Sequence, residues 1–200
     1  MNDVVVATSN PGKLVEIGEI LGEGDFRLCG LADFPGLRFP DEGDDYLENA
    51  AAKARVAADF ARCLALADDS GLEVAGLGGA PGPRSARFGG LDLDDRGRVA
   101  HLLEALRGSR GAERDARFVC VAALANARGD VVTAWGECDG RILDAPRGEG
   151  GFGYDPIFEP RGRGLAMAEL SAEEKNRISH RARAFLDLRP ALVKWLERGP

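Results

Sequence analysis

Two spacings of apolar residues alternate along this chain. Short apolar or β-branched runs, such as DVVVAT at residues 3–8 and LALA at residues 64–67, are typical of buried strands. After the first run the apolar residues recur every three or four positions, as Leu14, Ile17 and Leu21 do, which is the spacing of an amphipathic helix. The chain therefore begins with a strand, a tight SNPGK loop and a helix.

The same two spacings predict the remaining elements. Strands interspersed with helices, with both parallel and antiparallel neighbours, indicate an α/β fold with a mixed sheet. Two adjacent strands surround an ARGD turn, and a capping box between Ser171 and Glu174 predicts the start of a late helix. The predicted helices span residues 45–64, 91–106 and 171–188, and Pro190 is predicted to start a last short helix.

Length and composition predict one globular domain over residues 1–200. The chain is 44% hydrophobic and 30% charged, which suits a single well-filled core. No apolar run approaches the roughly 20 residues that a membrane span requires, and MNDVVVATSN lacks the features of a signal peptide. We therefore expect a cytoplasmic protein that does not associate with membranes.

The net charge and the residue types that bind metals exclude several classes of function. The formal net charge of −7 argues against binding to polymeric nucleic acid. The four cysteines contain no C-x-x-C pair and only two histidines are present, so the sequence predicts neither a zinc site nor a disulfide framework. Abundant carboxylates instead favour a hard cation such as Mg²⁺.

The segment ADDSG places Asp68 and Asp69 side by side where the LALA strand is predicted to end, before a Ser-Gly turn. Two adjacent carboxylates repel each other unless they are hydrated, paired or bound to a metal. The pair is compatible with a catalytic metal site. It is equally compatible with a loop in which one carboxylate caps the next turn.

Four other segments have both a functional and a purely structural interpretation. SNPGK, at a helix N-terminus, suits a phosphate but also serves as an ordinary connection. GEGGFGYDP matches G-x-G-x-x-G without the helix that dinucleotide binding needs, so it is a ligand loop with stacking aromatics or a glycine loop with buried ones. EEKNRISHRARA offers many donors or is a solvated face, and GPRSARF holds an anion through Ser85 and Arg87 or is a turn.

Taken in order, six segments resemble the inosine triphosphate pyrophosphatase family, the noncanonical purine nucleoside triphosphatases. They are TSNPGK, ENAAAKA, ADDSGLEV, GAPGPRSAR, GFGYDPIF and AELSAEEKNRISHRARA, and they cover nearly the whole chain. The resemblance implies a homodimer whose subunits have an elongated mixed β-sheet flanked by helices, in two lobes with a central substrate cleft. It also implies Mg²⁺-dependent cleavage of ITP, dITP, XTP and dXTP to the monophosphate and pyrophosphate.

The resemblance assigns roles to individual residues. Asp69 is implied as the acceptor of the water proton and as a metal ligand, with Asp68 beside it, and Asp41 matches a Glu that is often assigned to the metal. The triphosphate is implied to bind the loop Thr8, Ser9, Asn10, Pro11, Gly12 and Lys13, with further cationic contacts from Lys53 and Lys175. Ser70 is implied to contact the substrate, and His180 and Arg181 are implied to bind the edge of the purine base. The pocket for the base and the sugar is implied to be lined by Phe152, Gly153, Tyr154 and Asp155.

The chain departs from the family pattern at two positions. Arg84 stands where the family usually has Tyr, and Asp45 stands where Thr is common, which makes Asp45 a further candidate metal ligand. Three rival functions stay open at this point: a phosphatase with a covalent aspartyl intermediate, a nucleotide sensor without turnover, and a Maf-like pyrophosphatase acting on other bases.

Overall fold

A computed structural model describes residues 2–198, which form a mixed α/β fold with a core rich in Val, Leu, Ile and Ala. Within this range the helices are α1 (Pro11–Leu21), α2 (Tyr46–Ala61), α3 (Asp95–Ala105), α4 (Ala172–Ile178) and α5 (His180–Arg198). The strands are β1 (Asn2–Val6), β2 (Phe26–Cys29), β3 (Leu64–Val74), β4 (Pro81–Gly82), β5 (Asp115–Ala125), β6 (Val131–Ile142) and β7 (Phe158–Pro160). The predicted fold class is confirmed.

The strands form one mixed sheet in the order β2-β1-β3-β5-β6-β7, with β4 paired to β3. β1 lies parallel to β2 and to β3, in registers that oppose Val4 to Leu28 and to Leu64. β4 pairs antiparallel with β3, and β7 pairs antiparallel with β6. Parallel and antiparallel pairing therefore coexist, as predicted.

The chain folds as two compact units, each with its own apolar core. The first unit comprises residues 2–69, 120–136 and 181–198, and its core packs Val4, Ile17 and Leu66 with Phe185. The second unit comprises residues 70–119 and 137–180, and its core includes Leu102, Phe118, Ile157 and Phe158. The extent of the domain, given above as residues 1–200, stays a prediction.

The predicted turn at Ser70-Gly71 is wrong, because β3 continues through it to Val74. The far end of β3 is held by pairing with β4, where Leu72 opposes Gly82, and the Ser85 hydroxyl accepts a hydrogen bond from the Leu72 amide. The parallel neighbour β1 ends at Val6, opposite Leu66. Asp68 and Asp69 therefore lie within a strand, just beyond the end of its neighbour β1.

The C-terminal helices also differ from the prediction. The backbone of Ser179 is extended (φ −67°, ψ 151°), so the predicted helix is divided into α4 and α5. α5 then continues through Pro190, where a new helix was expected. Pro190 is exposed, and the apolar stripe of Phe185, Leu188 and Leu192 stays buried on both sides of it. This packing outweighs a cost of about 3 kcal/mol for an internal proline.

Two local predictions are confirmed. The GEGGFGYDP segment does not open an α-helix but leads through a 3₁₀ turn at Asp155–Ile157 into the extended β7. Ser171 and Glu174 form the predicted capping box at the start of α4. In the described part of the chain, none of the helices has the length and apolar character needed to cross a membrane.

Candidate active site

The SNPGK loop forms the N-terminus of α1. The Asn10 side chain accepts hydrogen bonds from the amides of Gly12 (2.8 Å) and Lys13 (3.2 Å), and Pro11 occupies the first helical turn. The Asn10 amide in turn donates to the Thr8 hydroxyl (3.1 Å). This compact turn places the positive end of the helix dipole and the Lys13 ammonium group on the same side, an arrangement suited to a phosphate.

Asp68 lies in a cationic environment within the first unit. Its carboxylate is buried, and its Oδ2 lies 2.9 Å from the Lys13 Nζ and 3.3 Å from a guanidinium nitrogen of Arg181. The Cys120 thiol, on β5, is 3.9 Å from the same oxygen. Asp68 is therefore an internal partner of Lys13 and Arg181.

Asp69 has a different set of neighbours, which α2 supplies. The Asn49 side-chain amide donates to its Oδ2 at 2.8 Å, and the Lys53 Nζ lies 3.8 Å from its Oδ1. Asn49 is itself fixed by two hydrogen bonds with the backbone of Gly43. The role of Asn49 was not predicted, although its spacing of four residues from Lys53 places both side chains on one helical face.

Burial and the neighbouring charges shift the pKa values of Asp69 and Lys53. Burial raises the pKa of Asp69, while Lys53 and the hydrogen bond from Asn49 act in the opposite direction. Burial alone lowers the pKa of Lys53, but the carboxylates of Asp68, Asp69 and Glu42 more than offset this, so the pKa is raised. Lys53 therefore stays a cation, and Asp69 is a stronger base than an ordinary aspartate.

The acidic segment before α2 brings Glu42 into this cluster. The Glu42 carboxylate forms an ion pair with Lys53, whereas Asp41 is exposed. Asp45 caps α2, because its Oδ1 accepts hydrogen bonds from the amides of Leu47 and Glu48, and the suggestion that it adds a metal ligand stays a prediction. This cap explains why an acidic residue is tolerated where the family has Thr.

The carboxylates of this cluster can be compared with the needs of Mg²⁺. Within residues 2–198, no group of three or more His, Cys, Asp or Glu side chains is arranged to hold a metal ion. Mg²⁺ bound to nucleotides needs only one or two carboxylates, since phosphate oxygens and water complete its shell. Asp69 and Glu42 both lie close to Lys53, and their carboxylates supply the one or two ligands that such an ion needs.

Arg181 lies at the start of α5 and is almost completely buried. Its guanidinium group bridges two carboxylates, Glu16 of α1 at 2.6 Å and Asp68 at 3.3 Å. Burial acts to lower its pKa, but these two carboxylates raise it overall. Glu16 is thus an internal partner of Arg181 that was not predicted from the sequence, while contact of Arg181 with the base stays a prediction.

A second cluster of the expected residues lies within the second unit. The Lys175 Nζ is 2.5 Å from Asp155 Oδ2 and lies 5.1 Å from the centre of the Phe152 ring. The same carboxylate oxygen accepts a hydrogen bond from the Phe152 amide at 2.9 Å. A side chain at Gly151 would collide with Asp155, so glycine is required there. The segment GEGGFGYDP, residues 148–156, is called the glycine loop below. It is bound to α4 through Lys175.

Other candidate residues of the second unit have defined partners. The hydroxyl of Tyr154 donates to the carbonyl of Ser85 at 2.9 Å, and burial raises the pKa of Tyr154. His180 is buried and stacks on Phe118 with 4.7 Å between ring centroids. Ser85 is used internally, since it donates to the Gly82 carbonyl, so the suggestion that it holds an anion is not supported.

The structure therefore brings the predicted residues together as two groups. In the first unit, Asp69 and Lys53 form one cluster, and the Thr8–Lys13 loop contacts Asp68 through Lys13. In the second unit, Phe152, Asp155 and Lys175 are in mutual contact, and Gly153 and Tyr154 share their loop. Ser70 is half-buried.

A mixed α/β fold with buried carboxylates and lysines beside a helix N-terminus is typical of enzymes that act on phosphorylated substrates. The sequence also matches one known family of proteins. Residues 4–191 match the model of the Ham1 family, and the chain belongs to this family.

Individual relatives agree with this assignment. A dITP/XTP pyrophosphatase of Thermus thermophilus is 51% identical over 198 residues, covering 98% of this chain and 93% of the relative. The dITP/XTP pyrophosphatase of Desulforamulus reducens is 47% identical over 183 residues, covering 91% of each chain. A solved HAM1 protein from Coxiella burnetii superposes with a TM-score of 0.86 at 39% identity, covering 98% of this chain and 100% of its own.

Proposed function

We propose that the chain hydrolyses ITP, dITP, XTP and dXTP to the nucleoside monophosphate and pyrophosphate, and so removes deaminated purines from the nucleotide pool. The chain is a nucleoside triphosphate pyrophosphatase of the Ham1 family, and relatives of about half-identical sequence are named dITP/XTP pyrophosphatases. The single observation that carries the chemical assignment is the buried Asp69, which Asn49 and Lys53 hold beside the acidic Glu42.

The triphosphate is assigned to the first unit. The Thr8–Lys13 loop offers the N-terminus of α1 and the partly buried Lys13 ammonium, and Lys53 adds a buried cation. In the structure these lysines are paired with Asp68, Asp69 and Glu42. A triphosphate brings further negative charge, which these cations partly offset by charge-assisted hydrogen bonds. Lys175 is proposed as a third cationic contact.

Asp69 is proposed as the acceptor of the proton from the attacking water. Its raised pKa makes it a better proton acceptor near neutral pH, and Asn49 holds one of its oxygens so that the other faces Lys53. Mg²⁺ is the proposed metal, held by Asp69 with Glu42 or Asp41 and the phosphates. When bound, such an ion offsets phosphate charge and lowers the pKa of bound water.

The base and sugar are assigned to the glycine loop of the second unit, Phe152 to Asp155, with Ser70, His180 and Arg181 as further contacts. Phe152 offers an aromatic face, and the Asp155 carboxylate offers a polar partner. Hypoxanthine and xanthine carry a 6-keto acceptor, whereas adenine carries a 6-amino donor. A donor that reads this position rejects adenine, since adenine leaves it without an acceptor.

Oligomeric state and cellular location complete the proposal. We infer a homodimer from the family resemblance, and a cytoplasmic location because free nucleoside triphosphates are the substrate. The net charge of −7 supports a small-molecule substrate over polymeric nucleic acid.

Product analysis tests the proposal directly. Purified protein with Mg²⁺ is incubated with ITP, XTP, GTP and ATP, and phosphate and pyrophosphate are measured separately. The proposal predicts pyrophosphate from ITP and XTP, and little product from ATP or GTP. Release of inorganic phosphate with formation of the diphosphate contradicts it and indicates a phosphatase, and binding without turnover indicates a sensor.

A further inference from the structure

The tip of the glycine loop is bound by a residue that lies outside all six family-like segments of the sequence. The carboxylate Oδ2 of Asp95, in the first turn of α3, accepts a hydrogen bond from the Gly153 amide at 2.8 Å. Both residues belong to the second unit. The contact joins positions 58 residues apart in the sequence.

Asp95 is not needed to cap its own helix. The N-cap of α3 is Asp94, whose side chain accepts from the Gly97 amide at 2.8 Å. The second oxygen of Asp95 makes a long contact of 3.5 Å with Arg98. The shorter of these two interactions of the Asp95 carboxylate is therefore the one with the glycine loop.

The loop presents two successive amides to two different carboxylates. The Phe152 amide donates to Asp155, and the next amide, that of Gly153, donates to Asp95. Gly153 has a φ of +61°, and a side chain placed there would meet no atom within 4 Å. Glycine is thus needed for the left-handed backbone, and the hydrogen bond that the Gly153 amide donates to Asp95 holds this residue in place.

Fixing Gly153 also fixes the two aromatic residues beside it. Tyr154 is anchored to the Ser85 carbonyl, and Phe152 lies against Lys175. The proposed base contacts are thus held by Asp155 from within the loop, by Lys175 from α4, and by Asp95 from α3.

We propose that Asp95 is a positioning residue that holds the glycine loop in its base-binding conformation, an inference that rests on the proposed function. Asp95 then acts on recognition of the base and not on the phosphates. Asp95→Ala is expected to raise KM for ITP by about 3- to 10-fold and to change kcat little. This is the size of effect expected when one partly exposed hydrogen bond to a charged group is lost.

Product inhibition separates the two parts of the substrate. Inhibition by IMP, which carries the base, is expected to weaken in Asp95→Ala by the same factor as KM rises, whereas inhibition by pyrophosphate is expected to stay unchanged. Asp95→Asn keeps an acceptor oxygen and is expected to restore most of the KM. Asp94→Ala and Asp92→Ala are controls for the helix cap and for the lost charge.

Hydrogen exchange measured by mass spectrometry on residues 148–156 provides a readout that does not depend on activity. Faster exchange in this segment of Asp95→Ala, but not of Asp92→Ala, supports the proposal. Unchanged exchange, an unchanged KM, or an equal KM rise in Asp94→Ala overturns it. If the unmodified protein does not turn over ITP, the proposed function fails, and the exchange data still decide whether Asp95 holds the loop.

Discussion

Replacement of Arg181 by Met separates two roles for this residue, an internal ion pair and contact with the base. Met keeps much of the side-chain volume and removes the charge. The guanidinium is 2% exposed and bridges Glu16 and Asp68, whose side chains are 12% and 0% exposed. If the internal ion pair is the main role, the variant is expected to lose stability and to keep its preference for ITP over ATP.

The magnitude follows from the partners that remain. Removing one member of a buried ion pair costs about 3–5 kcal/mol. Asp68 keeps Lys13 at 2.9 Å, so the main loss falls on Glu16, and we expect a cost at the lower end, about 3 kcal/mol. For a chain of this size that corresponds to a fall in Tm of roughly 6–12 °C.

Thermal unfolding and steady-state kinetics test this together. Arg189→Met, at an exposed position of the same helix, is the matched control and is expected to change stability by less than about 0.5 kcal/mol. The double variant Glu16→Gln with Arg181→Met removes both charges and is expected to recover most of the lost stability. A single variant with an unchanged Tm that no longer distinguishes ITP from ATP would refute the internal role and assign Arg181 to the base.

The remaining predictions concern the first unit and the metal. Asp69→Asn is expected to keep the fold and lower kcat by ~10²–10⁴, the usual contribution of a positioned base, and a folded variant with normal turnover removes Asp69 from the mechanism. Lys13→Ala is expected to raise KM for ITP more than it lowers kcat, with the exposed Lys194→Ala as control, and unchanged constants mean that the SNPGK loop is only a connection. Chelation of Mg²⁺ is expected to abolish turnover without lowering the Tm of the ligand-free protein, while full activity in EDTA contradicts the metal assignment.

Much of the fold follows from short-range patterns. The SNPGK loop and α1 were predictable because a β-branched run, a proline and an apolar helical stripe adjoin in sequence. The four-residue β2 was not predicted, since so short a segment carries little periodicity and its pairing with β1 is a tertiary contact. The end of β3 was misplaced because pairing with β4 overrides the turn preference of Ser70-Gly71.

The site shows the same division between local and distant information. The carboxylates, lysines and aromatic residues were recognised from motifs, but their partners were not. Glu16 and Arg181 are 165 residues apart, and their ion pair depends on α1 and α5 packing in one unit. A carboxylate before a helix serves equally as a cap or as a metal ligand, so the cap at Asp45 is established only by its bonds to the amides of Leu47 and Glu48 in the structure.

The central claim is that the chain releases pyrophosphate from a deaminated purine nucleoside triphosphate with the help of Asp69. The most direct measurement follows ITP hydrolysis with Mg²⁺ and quantifies IMP, IDP, phosphate and pyrophosphate, in the unmodified protein and in Asp69→Asn. The account predicts IMP and pyrophosphate in equal amounts, without IDP, and a loss of both products in the variant. IDP with inorganic phosphate, or equal rates in the two proteins, would contradict it.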